Sequence, residues 1–372
     1  MAGRRRRAAV SSVAAGLLVV ALASTAVASC ADPSDRADSS DRADSPDRAD
    51  SPDLAGSPTT TLASADGQST SRLAAPPSPE ASTVAEVLAL GRPIVLAHAA
   101  GENVHPHSTP WGYDQSARAG VDVLDFDVQL SSDGVLVVQH DQTVDRTTDG
   151  SGDVASVTFE QLSALDNAYW FASTCTCRDQ PEGDYTLRGI RTGDRPAPEG
   201  YGPDDFSIPR FQDVAERYPD HVLNIEIKGE AEAGVASAGE LARILTELDA
   251  ADRAVVTSFD DTVVEAFAAA APGVAITPGL KETTAYVLNG TPPAAGRTIL
   301  QVPPDFDGLK VLTPELVTRT SADGLVLWVW PNEQKWENAA GYTELLDLGV
   351  GGINAADPAT AVQALRDWKS AR

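Results

Sequence analysis

From residue 84 onward, short apolar runs alternate with longer segments in which apolar residues recur every three or four positions. Short apolar runs are typical of buried strands, and the longer period is typical of amphipathic helices. The pattern predicts strands near 94–98, 123–130, 223–228, 254–258, 298–302, 324–330 and 351–354, and helices near 111–119, 236–249, 261–271, 313–321 and from about 359 onward. This alternation predicts an α/β fold, and the length of the 84–372 region favours one (β/α)8 TIM barrel.

Two of the predicted strands carry polar or charged residues on one face only. These residues are Asp125 and Asp127 in the first strand and Asn224, Glu226 and Lys228 in the second. Neighbouring carboxylates repel each other unless bulk water or a cation faces them. An apolar outer face and an acidic inner face therefore predict a closed barrel with a metal ion at one end. A solvated sheet edge is the alternative, although edge strands rarely have so regular an apolar face.

A turn interrupts the alternation directly after the first acidic strand. Residues Ser131–Gly134 contain an Asp-Gly pair, which joins antiparallel strands, whereas parallel neighbours need a longer crossover. Residues 135–139 are therefore predicted to fold back as a hairpin arm and not as a barrel strand. This arm would deliver His140 and Asp141 to the rim where the paired aspartates emerge, and TIM barrels carry their active sites at that rim.

The residues predicted at this rim form a set suited to phosphodiester chemistry. The set comprises His98, His140, Asp125, Asp127, Glu226 and Lys228. Carboxylates are ligands for Ca²⁺ or Mg²⁺, two histidines can exchange protons near neutral pH, and a lysine can hold an anion. Cleavage of a diester needs one group to activate the attacking oxygen and another to protonate the departing one. Structural histidines, and a Lys228 that only neutralises Glu226, are the alternative interpretations.

The order and spacing of these motifs resemble those of the glycerophosphodiester phosphodiesterase family over residues 92–365. The matching segments are His98 for the family's opening His-Arg-Gly, Asp125–Val128 for Glu-Leu-Asp-Val, Ser132–Asp141 for its hairpin, Asp145–Thr148 for the segment after it, Asn224–Lys228 for the later acidic strand, and residues 329–330 and 349–353 for the closing strands. The resemblance implies a TIM barrel with an insertion after the second strand and hairpin, here about residues 166–207.

The same resemblance implies metal-dependent hydrolysis of a glycerophosphodiester to glycerol 3-phosphate and an alcohol. The implied roles are acid-base catalysis for His98 and His140, binding of Ca²⁺ or Mg²⁺ for Asp125, Asp127 and Glu226, and contact with the substrate phosphate for Lys228. Trp330 is a further candidate for substrate binding as part of an aromatic wall, although aromatic residues on barrel strands usually belong to the core.

The chain also departs from the family pattern. Ala99 replaces the arginine after the first histidine, His107 replaces the glutamate of Pro-Glu-Asn-Thr, Asp125 replaces a longer glutamate, and Ala355–Ala356 replaces a closing Thr-Asp. Loss of the arginine removes a bidentate phosphate donor whose geometry Lys228 cannot reproduce. These changes motivate a second class of hypothesis, a barrel lipoprotein that binds an envelope ligand without catalysis. A lysophospholipase D-like headgroup diesterase is the alternative within the same chemistry.

Composition limits the partners of the chain. It has 372 residues, 42% of them hydrophobic, and a formal net charge of -26. The charge argues against nucleic acid or anionic lipid as an electrostatically held partner, because their many phosphates would be repelled. A small-molecule diester or lysophospholipid is the substrate that the family resemblance implies. The two cysteines downstream of residue 30, Cys175 and Cys177, are equally compatible with a strained disulfide and with free thiols.

The N-terminal region is predicted to be an export signal followed by a linker. Residues 1–29 contain a basic start, an apolar run and small residues directly before Cys30. This arrangement resembles the signal of bacterial lipoproteins, which would leave the protein extracytoplasmic and lipid-anchored to the cell membrane through Cys30. An ordinary secretory signal with an incidental cysteine is the alternative. Residues 30–83, rich in Asp, Ser, Pro and Ala, are predicted to be a disordered linker.

Overall fold

The computed structural model describes residues 73–173 and 175–372. The predicted signal, Cys30 and the linker as far as residue 72 lie outside the described residues. The strands are β1 (Ile94–Ala97), β2 (Val123–Leu130), β3 (Leu136–Val138), β4 (Phe171–Ala172), β5 (Cys175–Thr176), β6 (Val222–Ile227), β7 (Ala254–Thr257), β8 (Ala275–Ile276), β9 (Ile299–Val302), β10 (Asp305–Phe306), β11 (Leu309–Lys310), β12 (Val326–Val329) and β13 (Gly352–Ala355). The helices are α1 (Val84–Ala89), α2 (Pro110–Ala119), α3 (Phe159–Ala164), α4 (Phe211–Arg217), α5 (Ala231–Glu247), α6 (Asp261–Ala270), α7 (Leu280–Asn289), α8 (Pro314–Ala322), α9 (Ala339–Leu348) and α10 (Pro358–Ser370).

Parallel strands form a near-closed barrel. The order of hydrogen-bonded neighbours is β8-β7-β6-β2-β1-β13-β12-β9, and every pairing along this path is parallel. Helices connect most of these strands, as parallel neighbours require. The α/β TIM-barrel fold predicted from the alternation of apolar patterns is therefore confirmed.

The interior of the barrel is apolar at the end where the strands begin. One buried cluster joins α1 to the first residues of the strands, and it consists of Ala81, Val84, Val87, Ile94, Leu96, Val123, Val222, Val255, Ile299 and Trp328. Trp328 fills the centre of this layer because Gly352 beside it has no side chain: a Cβ there would lie 2.7 Å from the indole ring. The capping box of Thr83 and Glu86 fixes the start of α1, which covers this end.

A second and larger apolar layer lies between the strands and the outer helices. In α5, Leu241, Ile244 and Leu245 recur at the helical spacing that places them on one buried face. On β2, Leu124 and Phe126 point to the same layer, so their neighbours Asp125 and Asp127 point into the barrel. One face of β2 therefore packs in the core, and the other carries the candidate site residues.

The hairpin after β2 forms as the sequence predicts. β3 pairs with β2 in antiparallel register, with Leu130 opposite Leu136. Gly134 closes the turn with a φ of 79°, a conformation that glycine adopts at little cost. The side chain of Gln129 donates to the carbonyl oxygens of Gln139 and Asp141 at 2.8 and 2.7 Å, which fixes the end of the arm at the barrel rim.

The insertion expected at about residues 166–207 is a compact excursion with little regular structure. The short strands β4 and β5 pair in antiparallel fashion, and Cys175 forms a disulfide with Cys177. The guanidinium of Arg188 lies 3.7 Å from the ring centroid of Tyr185 and 4.2 Å from that of Tyr169, so cation–π contacts hold this segment together.

The structure also differs from the sequence predictions at element ends. Residues 73–83, expected to belong to the linker, contact the barrel: Arg118 donates to the carbonyl of Ala74 at 2.7 Å, and Ser78 donates to Asp220 at 3.0 Å. The helix predicted from residue 236 begins at Ala231. The sequence does not predict the helices α1, α3, α4, α7 and α9 or the strand β8, because their apolar patterns are short or weak. Within residues 73–173 and 175–372, no helix is long and apolar enough to cross a membrane.

Candidate active site

The polar interior of the barrel begins one layer above the apolar cluster. Asp125 lies opposite Asn224 in the register of β2 with β6, and Asp127 lies opposite Glu226. The amide of Asn224 donates to Asp125 at 2.5 Å, and the amide of Gln301 on β9 donates to the Asn224 oxygen at 2.8 Å. Neighbouring strands thus present their acidic groups together at the C-terminal rim, as the sequence predicts.

Asp125 sits deep in this layer. Burial, partly offset by the charge of His98 and reinforced by the neighbouring carboxylate of Asp127, raises the pKa of Asp125 to about 6. Its Oδ2 accepts a long hydrogen bond of 3.4 Å from the backbone N–H of Ala99. Position 99 therefore contributes a backbone donor to the site, although it has lost the arginine side chain of the family pattern.

Lys228 joins the other two predicted metal ligands. Its Nζ lies 3.0 Å from Oδ1 of Asp127 and 2.8 Å from Oε1 of Glu226. Burial opposes ionisation of Asp127, but Lys228 and the nearby imidazoles outweigh it and hold the pKa of Asp127 well below its usual range. Although burial acts in the opposite direction, the same two carboxylates raise the pKa of Lys228. The lysine therefore neutralises Glu226, as one interpretation of the sequence expected, and is charged beside the predicted metal ligands.

His98 follows directly after β1, at the rim. Its Nδ1 lies 3.2 Å from Oε1 of Glu102, and Oε2 of the same glutamate lies 3.5 Å from Nε2 of the buried His107. Burial works to lower the pKa of His98, but Glu102, Asp125 and Asp127 together outweigh it, so the pKa is raised. Burial lowers the pKa of His107 to about 3, which leaves that imidazole neutral.

His140 stands at the tip of the hairpin arm, where its side chain is 43% exposed. Its Nδ1 lies 2.7 Å from Oδ1 of Asp141. Arg146 binds the same carboxylate through two hydrogen bonds of 2.6 and 3.0 Å, which fixes it in place. The ring of His140 contacts that of His107 at a centroid distance of 5.7 Å. Because Glu102 lies beside both His107 and His98, the two predicted catalytic histidines border the same cluster.

A further carboxylate reaches the site from the loop after β12. Oε2 of Glu337 accepts hydrogen bonds from the hydroxyl of Tyr342 and, at 2.9 Å, from the backbone N–H of Ala356. Its Oε1 is buried and has no hydrogen-bond partner. Burial raises the pKa of Glu337 to about 7, and the nearby charge of His98 opposes that rise. Ala356 is one of the positions where the chain has lost a polar group of the family pattern.

Trp330 follows β12 at the same rim. Its ring meets that of Phe259 edge to face at a centroid distance of 6.1 Å, and Phe306 stacks on Phe259 at 6.5 Å. Phe259 is 46% exposed, so this aromatic group borders solvent and is not core. These aromatic residues follow β7, β9 and β12 and form a wall beside the polar interior of the barrel.

The oxygen donors fit a hard divalent cation in their chemistry. Oδ2 of Asp127 is buried and has no hydrogen-bond partner, which is the state of a carboxylate oxygen available for a ligand. In the part of the chain that the structure describes, no three His, Cys, Asp or Glu side chains already converge as a metal-binding group. Lys228 lies between Asp127 and Glu226. A cation bound by these two carboxylates would therefore compete with the lysine for the same oxygens.

Comparison with known proteins decides the family. A model of the glycerophosphoryl diester phosphodiesterase family matches residues 98–360. The chain belongs to this family. The match begins at His98 and spans every residue predicted for the catalytic site.

Two bacterial members of the family have similar sequences over most of the chain. The probable glycerophosphodiester phosphodiesterase 1 of Mycobacterium tuberculosis is 30% identical over 288 residues, which cover 77% of this chain and 96% of that protein. The glycerophosphodiester phosphodiesterase of Caldanaerobacter subterraneus subsp. tengcongensis is 27% identical over 279 residues, covering 73% and 98% respectively. The similarity therefore extends over nearly the whole length of these relatives.

Solved structures agree on the fold. The glycerophosphoryl diester phosphodiesterase domain of a Mycobacterium tuberculosis protein has a TM-score of 0.57 at 20% identity, over 73% of this chain and 98% of that one. An Oleispira antarctica phosphodiesterase, solved in complex with sn-glycerol-3-phosphate, has a TM-score of 0.56 at 18% identity, over 75% and 99%.

Three charged residues at the site were not predicted from the sequence. Glu102 follows His98 by four residues, but the chain after a strand end does not normally return such a residue to the side of the first one. Arg146 lies within a recognised family segment, yet its bidentate contact with Asp141 is visible only in the fold. Glu337 lies in a loop without any motif, so no signal in the sequence points to it.

Proposed function

We propose that this protein is a glycerophosphodiester phosphodiesterase that hydrolyses its substrate to glycerol 3-phosphate and an alcohol with the help of a divalent cation. The observation that carries the proposal is the gathering of His98, His140 and the acidic residues of β2 and β6 at one rim of the family's barrel. The names of the two similar enzymes and the product held by the Oleispira antarctica protein support the substrate class.

The cation would be held by Asp125, Asp127 and Glu226. Their oxygen donors suit Ca²⁺ or Mg²⁺, and a buried unpartnered oxygen on Asp127 supports this assignment. Such a cation supplies positive charge where the phosphate oxygens gain negative charge in the transition state. Lys228, which is charged beside the same carboxylates, adds a cation that holds the phosphate.

The two histidines divide the proton transfers. One imidazole accepts the proton of the attacking oxygen while a new P–O bond forms, and the other donates a proton to the alcohol oxygen as the old P–O bond breaks. Asp141, itself held by Arg146, fixes the orientation of His140 through Nδ1 and leaves Nε2 to face the substrate. Trp330 and Phe259 supply an apolar wall for the remainder of the substrate.

The direct test is hydrolysis of a panel of glycerophosphodiesters by the purified protein, with and without a chelator. We expect turnover only when a divalent cation is present. His140→Ala should lower kcat by roughly 10²- to 10⁴-fold, the contribution typical of general acid-base catalysis. His221→Gln, which changes a histidine away from the rim, is the control and should retain kcat. Full activity of His140→Ala, or turnover in the chelator, would contradict the proposed mechanism.

We also propose that the enzyme is extracytoplasmic and lipid-anchored through Cys30, which follows the predicted signal of residues 1–29. The protein expressed in a bacterial host should incorporate labelled fatty acid and fractionate with membranes. Cys30→Ala should abolish the label and release the protein, without changing its specific activity. Unlabelled wild-type protein in the medium would instead support an ordinary secretory signal.

A further inference from the structure

An unusual turn carries Glu102 back to His98. Residues Ala99, Ala100 and Gly101 have φ values of 43°, 69° and 86°, so three successive residues adopt left-handed conformations. The backbone N–H groups of Gly101 and Glu102 donate to the carbonyl of His98 at 2.7 and 3.3 Å. Left-handed alanines cost free energy, and their presence shows that the surrounding structure determines this turn. The turn places the Glu102 carboxylate beside the His98 ring.

Glu102 contacts two imidazoles, one through each oxygen. Oε1 lies 3.2 Å from Nδ1 of His98, and Oε2 lies 3.5 Å from Nε2 of His107. His107 is 1% exposed, and its Nδ1 lies 2.8 Å from the hydroxyl of Ser108. Ser108 therefore fixes the ring of His107, and its Nε2, which has no hydrogen-bond partner, faces the Glu102 carboxylate.

The pair formed by His107 and Glu102 also accounts for a departure from the family pattern. At position 107 the family has a glutamate, whose loss would leave the site short of one carboxylate. In this chain the imidazole of His107 occupies that position and contacts a carboxylate brought by residue 102. A carboxylate is thus present near position 107, but residue 102 supplies it.

We propose that Glu102 is a positioning residue for His98. Its carboxylate favours a proton on Nδ1, and this leaves Nε2 of His98 to exchange protons with the substrate. His140 likewise has a carboxylate at its Nδ1, but there Asp141 is hydrogen-bonded at 2.7 Å, whereas Glu102 lies 3.2 Å from Nδ1 of His98 without a hydrogen bond. The inference rests on the proposed phosphodiesterase function, because only that function assigns His98 a proton transfer.

Three substitutions test this role. Glu102→Ala removes the carboxylate, and Glu102→Asp shortens it. Glu240→Gln is the matched control: the Glu240 side chain is 25% exposed, compared with 29% for Glu102, and it pairs with Arg243 on α5. We expect Glu102→Ala to lower kcat about 10- to 100-fold with KM changed less than about threefold, as for other residues that orient a functional imidazole. Glu102→Asp should recover part of that loss, and Glu240→Gln should leave both constants unchanged.

The second readout does not depend on turnover. Nitrogen-15 spectra of protein labelled at its 5 histidines report which ring nitrogen carries the proton, and His98→Gln assigns the His98 signals. We expect Nδ1-protonated His98 in the wild type and a shifted tautomer balance in Glu102→Ala, with thermal unfolding curves confirming that each variant is folded.

Three results would overturn the role of Glu102. One is an unchanged kcat in Glu102→Ala, and another is an unchanged His98 spectrum in that variant. The third is a higher requirement for divalent cation in Glu102→Ala without any change in the His98 signals, which would make Glu102 a metal ligand. If the wild type hydrolyses no glycerophosphodiester, the proposed function fails, whereas the spectra still decide whether Glu102 orients His98.

Discussion

The two ends of the barrel interior are lined by the same strands. The residues at one end are apolar, and those at the other end are polar or charged. At the end where the strands begin, Val123, Val222 and Trp328 form a dry layer beneath α1. Two residues further along β2 and β6, the same face carries Asp125 and Asn224, and charged groups follow at the rim. Burial of apolar surface stabilises a fold, whereas burial of charges costs free energy unless they are paired. We infer that the apolar end supplies stability that allows the rim to hold buried acids.

The largest expected effect follows from breaking the apolar end. Trp328→Ala should lower the free energy of unfolding by about 3–5 kcal/mol, because it leaves a cavity at the centre of the layer. The folded molecules that remain should keep their kcat. Denaturant unfolding measures the first quantity, and an activity assay corrected for the folded fraction measures the second.

Trp330→Ala provides the matched control, because Trp330 follows Trp328 by two residues and therefore lies on the same face. Trp330 lies at the rim beside the exposed Phe259. Its replacement should cost clearly less stability and should act mainly on KM. Equal losses of stability in the two variants would show that the two ends do not differ as described.

The next effect follows from removing the cation of the polar end. In Lys228→Met, the buried carboxylate of Asp127 loses its partner, and the free energy of unfolding in a chelator should fall by about 2–4 kcal/mol. Added Ca²⁺ or Mg²⁺ should restore part of this loss if it binds the same carboxylates. Lys335→Met, which breaks the exposed pair with Glu333, should change stability far less than Lys228→Met does. No loss in Lys228→Met would contradict the view that the rim depends on this pairing.

The smallest expected effect is a difference in pH dependence between one residue at each end, His221 before β6 and Asp125 in the polar interior. Burial lowers the pKa of His221, directly before β6, to about 4 from 6.5, so the fold favours the neutral ring. Its contribution is complete above pH 6.5 and is lost as the pH falls from 6.5 to 4, by up to about 3 kcal/mol. Asp125 has the opposite sign: its pKa is raised from 3.8 to about 6, so its contribution is present below pH 3.8 and is lost as the pH rises through 6.

Two variants separate these contributions in the metal-free protein. We expect His221→Gln to reduce the loss of stability on acidification, to which His107 also contributes. We expect Asp125→Asn to reduce the loss on raising the pH, to which Glu337 also contributes. Urea unfolding at half-unit pH intervals between 4 and 7 measures both slopes. An unchanged acid slope in His221→Gln, or an unchanged slope on raising the pH in Asp125→Asn, would contradict the sign assigned to that residue.

The sequence was sufficient wherever side-chain direction follows from a regular period. Alternation along β2 placed Asp125 and Asp127 on the inner face, and the Asp-Gly turn predicted the hairpin that carries His140. Glu102 escaped prediction because its contact depends on left-handed alanines, a conformation that alanine does not favour by itself. Glu337 escaped because its position depends on long-range hydrogen bonds with Tyr342 and Ala356.

The described chain begins with Leu73 against Gly200 of the insertion and reaches the barrel at the end opposite the rim. Residues 73–83 run past the last turn of α2, where Arg118 holds Ala74, and past Asp220 before β6, and then lead into α1 beneath the apolar layer. Residues 73–83 therefore lead to α1 without crossing the mouth of the barrel. Attachment of the protein to a bead or a display scaffold ahead of residue 73 should therefore leave the mouth accessible to dissolved substrate.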